Sequence, residues 1–126
     1  MALNRLLLYA QDVAETARFY QKHFDFKAFQ IPGDRIIELV SPDGGARIMI
    51  HAAAKGQKKG QSSIKLVFDV ADVEAFCSRC AENGLKFGPV HRADGYSFAN
   101  AKDPNLNSIS VSSRAFREPV EEAPCP

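Results

Sequence analysis

The first apolar stretch, Arg5-Leu6-Leu7-Leu8-Tyr9-Ala10, is short and rich in side chains that suit a pleated strand. The next segment changes period: Val13, Ala17, Tyr20 and Phe24 recur at helical spacing, with Glu15, Arg18 and Lys22 between them. Asp12 stands at the junction, where its carboxylate can accept from free first-turn amides and complement the helix dipole. The same pattern returns later. Lys65-Leu66-Val67-Phe68-Asp69-Val70 leads through Asp72 into Val73, Phe76, Cys77 and Cys80, and Gly84 is placed to end that helix. Arg5 and Lys65, like Asp12 and Asp72, are 60 residues apart, so the chain is a tandem repeat.

Three short strands are predicted after each helix. In the first half they are FKAFQI, RIIELV and ARIMIHA, parted by Pro32-Gly33-Asp34 and Pro42-Asp43-Gly44-Gly45. In the second they are LKFGPV, YSFANA and SISVSS, parted by Ala93-Asp94-Gly95 and Asp103-Pro104-Asn105. The organisation is therefore a βαβββ module over 1–53, a polar linker over 54–62, a second βαβββ module over 63–113, and a Pro-rich tail over 114–126. The tail carries no sustained periodicity and is expected to be loosely docked.

A small sheet with one helix cannot close a core alone. The expected fold is α+β: two tandem modules forming a curved mixed sheet around a central cavity, helices outside. Side-chain alternation then assigns faces. Leu6, Leu8 and Ala10 meet the helix, and Arg5, Leu7 and Tyr9 turn to the cavity; Leu66, Phe68 and Val70 pack under the second helix, leaving Lys65, Val67 and Asp69 to line the cavity.

Composition adds mainly exclusions. The 126 residues carry 45% hydrophobic and 25% charged side chains and a formal charge of +1, ordinary globular values for one domain-sized chain. Basic residues are scattered, which argues against a nucleic-acid partner. No apolar run approaches the ~18 residues of a membrane span or resembles a leader, so the expectation is a cytoplasmic protein without a membrane partner. Cys77 and Cys80 form a C-x-x-C on a helix with no second pair to complete a metal site. Cys125 reads as a free thiol. His23 lies at a helix end, His91 beside a turn, and only His51 shares the parity of Met49 at a pocket rim, as a structural ring or a general base. Lys55, Lys58 and Lys59 read as part of a solvated connector, with contact to an anionic partner as the alternative. Phosphate-binding glycine loops, dinucleotide fingerprints and nucleophile elbows are missing from the sequence.

The two strand-x-Asp-Val-helix starts, Phe19-Tyr20 before Phe24-Asp25-Phe26, Asn83 to Pro89, and above all Lys102-Asp103-Pro104-Asn105 before the last strand carry a family resemblance. Together they are similar to the vicinal oxygen chelate superfamily, which includes glyoxalase I, extradiol dioxygenases and bleomycin-resistance proteins. The resemblance covers nearly all of the chain up to Ser113. It departs at Leu106, where the family's Asp-Pro-Asp-Gly turn has glycine.

The resemblance implies a divalent metal held by His, Glu or Gln, two from each module. The corresponding positions here are Arg5, Met49, Lys65 and Ser110. Arginine has no lone pair to give, lysine would have to lose its proton, methionine suits soft ions, and a neutral serine is weak. Slipping by two residues brings in Asp69 and His51, still short of a three-ligand set. The expectation is that there is no metal and no other cofactor. Arg5 and Lys65 would then supply fixed positive charge, either to an anionic ligand or to an internal partner such as Asp69 or Glu38. Leu7, Tyr9, Met49 and Val67 would form apolar walls.

The expected function is small-molecule binding of the bleomycin-resistance type, with an anionic or aromatic ligand. A homodimer is implied by the resemblance. Two rivals remain: a glyoxalase- or isomerase-like enzyme with Arg5 and Lys65 stabilising an oxyanion, and a regulatory, partner-binding module with a filled cavity.

Overall fold

The computed structural model describes residues 1–119 and 121–126. Its elements run β1 (Arg5–Ala10), α1 (Val13–Phe24), β2 (Lys27–Phe29), β3 (Ile37–Val40), β4 (Arg47–Ala52), β5 (Lys65–Asp69), α2 (Val73–Glu82), β6 (His91–Arg92), β7 (Ser97–Lys102) and β8 (Ser108–Ser112), then a 3-10 turn at Arg114–Phe116. These are two βαβββ modules in an α+β fold. The strands form two four-stranded sheets, ordered β1-β4-β3-β2 and β5-β8-β7-β6. In the first, β1 runs parallel to β4, and β2, β3 and β4 are antiparallel.

Both helices start where an aspartate can cap them. The Asp12 carboxylate accepts from the Glu15 amide at 2.9 Å, and that of Asp72 from Ala75 at 3.0 Å. They end differently. After α1, Asp25 takes the left-handed conformation (φ 59°), a polar residue where glycine is usual. After α2, Gly84 (φ 93°) turns the chain so that the Leu85 amide reaches the Cys80 carbonyl at 2.8 Å.

Two compact units result, Met1–Ile64 with Lys102–Ser108, and Lys65–Ala101 with Ile109–Pro126. The turn between β7 and β8 thus belongs with the first unit. That unit's core holds Ala10, Ala17, Tyr20, Phe26, Leu39, Ile48 and Ile50, and the second holds Leu66, Val73, Cys80, Leu85, Ala99, Ile109 and Val111. In-register neighbours explain the first core: Leu6 beside Ile48 and Leu8 beside Ile50 bring one parity of β1 and β4 under α1. The other parity, Arg5, Leu7 and Tyr9, is exposed.

Several strands are shorter than their sequence pattern. FKAFQI contributes only Lys27–Phe29. RIIELV contributes Ile37–Val40, because the Asp34 carboxylate takes the Ile36 amide at 3.0 Å and holds the preceding residues in a turn. The largest difference is LKFGPV, expected as a strand. There Leu85 is buried, residues 86–90 have no strand partner among the described residues, and pairing begins only at His91–Arg92. Gly88 spends its amide on the Asn100 carbonyl (2.9 Å) and Pro89 has none to give, so a ladder cannot continue through them. His91 consequently lies on a strand, its ring 5.1 Å from Phe98.

Candidate functional site

The open face of the first sheet gathers five of the nine expected site residues. β1 supplies Arg5, Leu7 and Tyr9, and β4 supplies Met49 and His51, with Leu7 paired to Met49 and Tyr9 to His51 in register. The Tyr9 and His51 rings meet edge to face, centroids 6.0 Å apart. His51 Nδ1 lies 2.8 Å from the Ala52 carbonyl oxygen, an acceptor only. Nδ1 is therefore the donor in this contact, and Nε2 is the ring nitrogen not engaged by it.

Two residues that sequence reasoning underweighted complete this face. The Glu38 carboxylate accepts from Arg5 Nε at 3.1 Å and from Arg47 Nη1 at 3.3 Å. Arg5 thus has an internal partner, but one carboxylate faces two guanidiniums, so the group carries a surplus positive charge. With about half of each arginine side chain exposed, such pairs contribute only ~0–1 kcal/mol to stability. The missed signal was positional: Arg47 shares the parity of Met49 and pairs with Arg5 across the ladder.

In the second unit, Lys65 Nζ donates to Asn100 Oδ1 at 2.9 Å, so its charge meets a neutral amide. Val67 is exposed and lies with Asp69 in a cleft of about 580 Å³ that Ser112 and the tail residues Arg114 and Arg117 also line. The start of the tail is held beside β7, with Arg114 over the Tyr96 ring and bonded to its hydroxyl at 3.1 Å. Ser110 is buried and its hydroxyl donates to the Ala99 carbonyl at 3.0 Å.

A third constellation is structural. Asp103, 3% exposed, accepts from the Tyr20 hydroxyl (2.7 Å), the amides of Asn105 and Asn107 (both 2.9 Å) and Asn107 Nδ2 (3.0 Å). Asn105 Nδ2 donates to Thr16 Oγ1 at 2.7 Å, and its Oδ1 takes the Gln11 amide at 3.2 Å. Burial, then the Asp103 charge and hydrogen bond, hold the Tyr20 phenol well above its ordinary pKa. Tyr20 therefore belongs to more than an apolar stripe; a buried phenol needs a partner, and an Asp-Pro-Asn turn offers one. Elsewhere, burial and then neighbouring Lys22 lower the His23 pKa, outweighing the helix dipole. Burial raises both Cys77 and Cys80 thiols, which makes them poor nucleophiles.

Two βαβββ modules, each a four-stranded sheet with one helix, define the fold class. The model of the Glyoxalase/Bleomycin resistance protein/Dioxygenase superfamily matches residues 2–111, and the chain belongs to that superfamily. Among solved structures it is similar to an integron cassette protein of V. cholerae (27% identity, 89% of this chain and 94% of that one, TM-score 0.68). It also resembles the antibiotic-binding protein TnmS3 of Streptomyces sp. CB03234 (18%, 88% and 93%, TM-score 0.73). A third is a lactoylglutathione lyase of Agrobacterium tumefaciens (18%, 88% and 92%, TM-score 0.69). Comparison with curated protein sequences gives no match.

The metal that this superfamily implies does not fit the side chains at the corresponding positions. Arg5 is a bound guanidinium, Lys65 a hydrogen-bond donor, Ser110 a buried donor to a carbonyl, and Met49 a soft thioether. Among the described residues, three His, Cys, Asp or Glu side chains do not come together in any group suited to an ion.

Proposed function

We propose that this chain binds a small anionic or aromatic molecule without a metal and acts by sequestering it, as a homodimer in the cytoplasm. One observation carries the reading: Arg5 and Lys65 present positive charge that their bonded partners do not cancel, at positions that the family resemblance aligns with metal ligands. Arg5 offers a planar fork to a carboxylate or phosphate, and Lys65 a point charge. Leu7, Tyr9 and Met49 supply apolar and aromatic contact beside Arg5, and Val67 beside Lys65, with His51 and Asp69 as polar neighbours on their own sheets; Ser110, buried and bonded to the Ala99 carbonyl, takes no part. An antibiotic-binding protein shares this fold, which is compatible with binding, and so does a lactoylglutathione lyase. No helix among the described residues is long and apolar enough to cross a membrane, and Cys77, Cys80 and Cys125 are free thiols, in keeping with a reducing compartment.

A melting-temperature screen of organic acids, phosphates and planar antibiotics, run with and without a chelator, tests this. Ligand at a hundredfold excess over Kd stabilises the native state by ~2.7 kcal/mol. The expected hit survives chelator and weakens in Arg5→Ala and in Lys65→Ala. A stoichiometric, tightly held divalent ion in the purified protein overturns the metal-free reading. Chelator-resistant turnover of a hemithioacetal moves the assignment to the enzyme, and sedimentation as a monomer removes the dimer.

A further inference from the structure

The segment after β4 has the composition of a solvated connector, yet it is pinned at several points. The Ala53 amide donates to the Ala10 carbonyl (2.8 Å), the Ala54 amide to Gln57 Oε1 (3.1 Å) and the Gln57 amide to the Ala54 carbonyl (3.0 Å). Gln11 Nε2 reaches the Gln57 carbonyl at 3.4 Å, Lys59 Nζ donates to the Pro104 carbonyl at 3.1 Å, and the Gly60 amide to the Asn105 carbonyl at 3.1 Å. Gly60 is required for this path: its φ is 73°, and a Cβ there would meet the Leu106 Cβ at 3.2 Å. The result is an ordered loop around a cleft of about 570 Å³, lined by residues 53–59 and Gln11.

The charge of that cleft is one-sided. Lys55, Lys58 and Lys59 line it together with two amide side chains, and no carboxylate is among its lining residues. The neighbouring Asp12 carboxylate is committed to capping α1 through the Glu15 amide. Three ammonium groups within five residues repel one another, and an anion between them removes that repulsion. The amides of Gln11 and Gln57 add neutral donors to the same rim. The concavity is open and most of its lining residues are exposed, a setting in which a small hydrated anion can be reached by several cations at once, whereas nucleic acid or a membrane needs cations spread over a face.

We propose that this loop is a second site, separate from the open sheet faces, for a small molecule bearing a phosphoryl or diphosphate group. The test is titration of the full chain with inorganic pyrophosphate, followed by amide NMR and calorimetry at low and at physiological salt. Shifts confined to Gln11 and residues 53–59 are expected, with affinity falling as salt rises. Lys55→Gln/Lys58→Gln should weaken binding by about tenfold or more, because both ammonium groups are lost from the cleft. Lys27→Gln/Lys86→Gln, which removes the same net charge elsewhere, should leave it unchanged. Equal weakening by both double variants, shifts scattered over the surface, or no saturable binding overturns the site. Sedimentation with phosphatidylserine vesicles that pyrophosphate does not compete away would assign the lysines to a membrane surface and overturn it equally.

Discussion

The first unit contains two polar clusters built from the same kinds of side chain and put to opposite uses. Around Asp103, a carboxylate out of water has four donors, and its partners Tyr20 and Asn105 are buried with it, as is Thr16, which Asn105 bonds in turn. Around Glu38, a carboxylate on an open sheet face is shared by two half-exposed arginines. Desolvation separates them. A buried acceptor must be satisfied internally, so each bond at Asp103 is required by the fold. At Glu38 water can replace either arginine, so the pairs add little stability and the surplus cation stays available to a ligand. The conformation of the β7–β8 turn depends on the first cluster, and the proposed function on the second.

The comparison breaks most sharply at Asp103. Asp103→Ala strands the Tyr20 hydroxyl and the Asn105 and Asn107 donors, and should cost ~3–5 kcal/mol in denaturant unfolding. Tyr20→Phe removes one donor and should cost ~1–2 kcal/mol at neutral pH. It also tests a sign. The folded phenol titrates above its ordinary value of 10.0, so above that pH the unfolded chain loses a proton that the folded one keeps. Stability should therefore fall as pH rises beyond 10, and Tyr20→Phe should abolish this tyrosine's share of the loss.

Leu106 sharpens the comparison from the other direction, since it holds a left-handed φ of 61° in the same turn with its side chain half exposed. Leu106→Gly should relieve that strain and, after the added unfolded-state entropy, raise stability by ~0.5–1 kcal/mol. His23 gives a smaller, pH-limited effect. Its folded pKa lies below the ordinary 6.5, so the unfolded chain takes up a proton first and stability declines as pH falls through and below 6.5; His23→Gln should flatten that slope. Arg5→Ala should change the unfolding free energy least, by under ~0.5 kcal/mol, while weakening any ligand that stabilises the wild type.

Much of the fold was legible because it follows local rules. Asp12 and Asp72 mark helix starts by the chemistry of free amides, and the parity of β1 and β4 separates Leu6, Leu8, Ile48 and Ile50 from Arg5, Leu7 and Met49. LKFGPV was misread because apolar content suggested a strand where Gly88 and Pro89 withhold ladder amides. At the site, Arg5 and Lys65 were found from the repeat and Glu38 was a candidate partner, but Arg47, which shares Glu38, and Asn100, which takes Lys65, lie on other strands, and only strand order brings them together. The loop at residues 53–59 was missed for a related reason: its anchors, Ala10, Gln11, Pro104 and Asn105, are distant along the chain.

Sequence alone determined the two-module repeat, the helix caps and the faces of β1, β4 and β5, since periodicity and end chemistry act within a few residues. Tertiary structure decided which charges are cancelled, which are left over, and that a turn of the second module lies within the first compact unit. Those outcomes depend on burial and on contacts such as Tyr20 with Asp103, 83 residues apart, which no local pattern encodes.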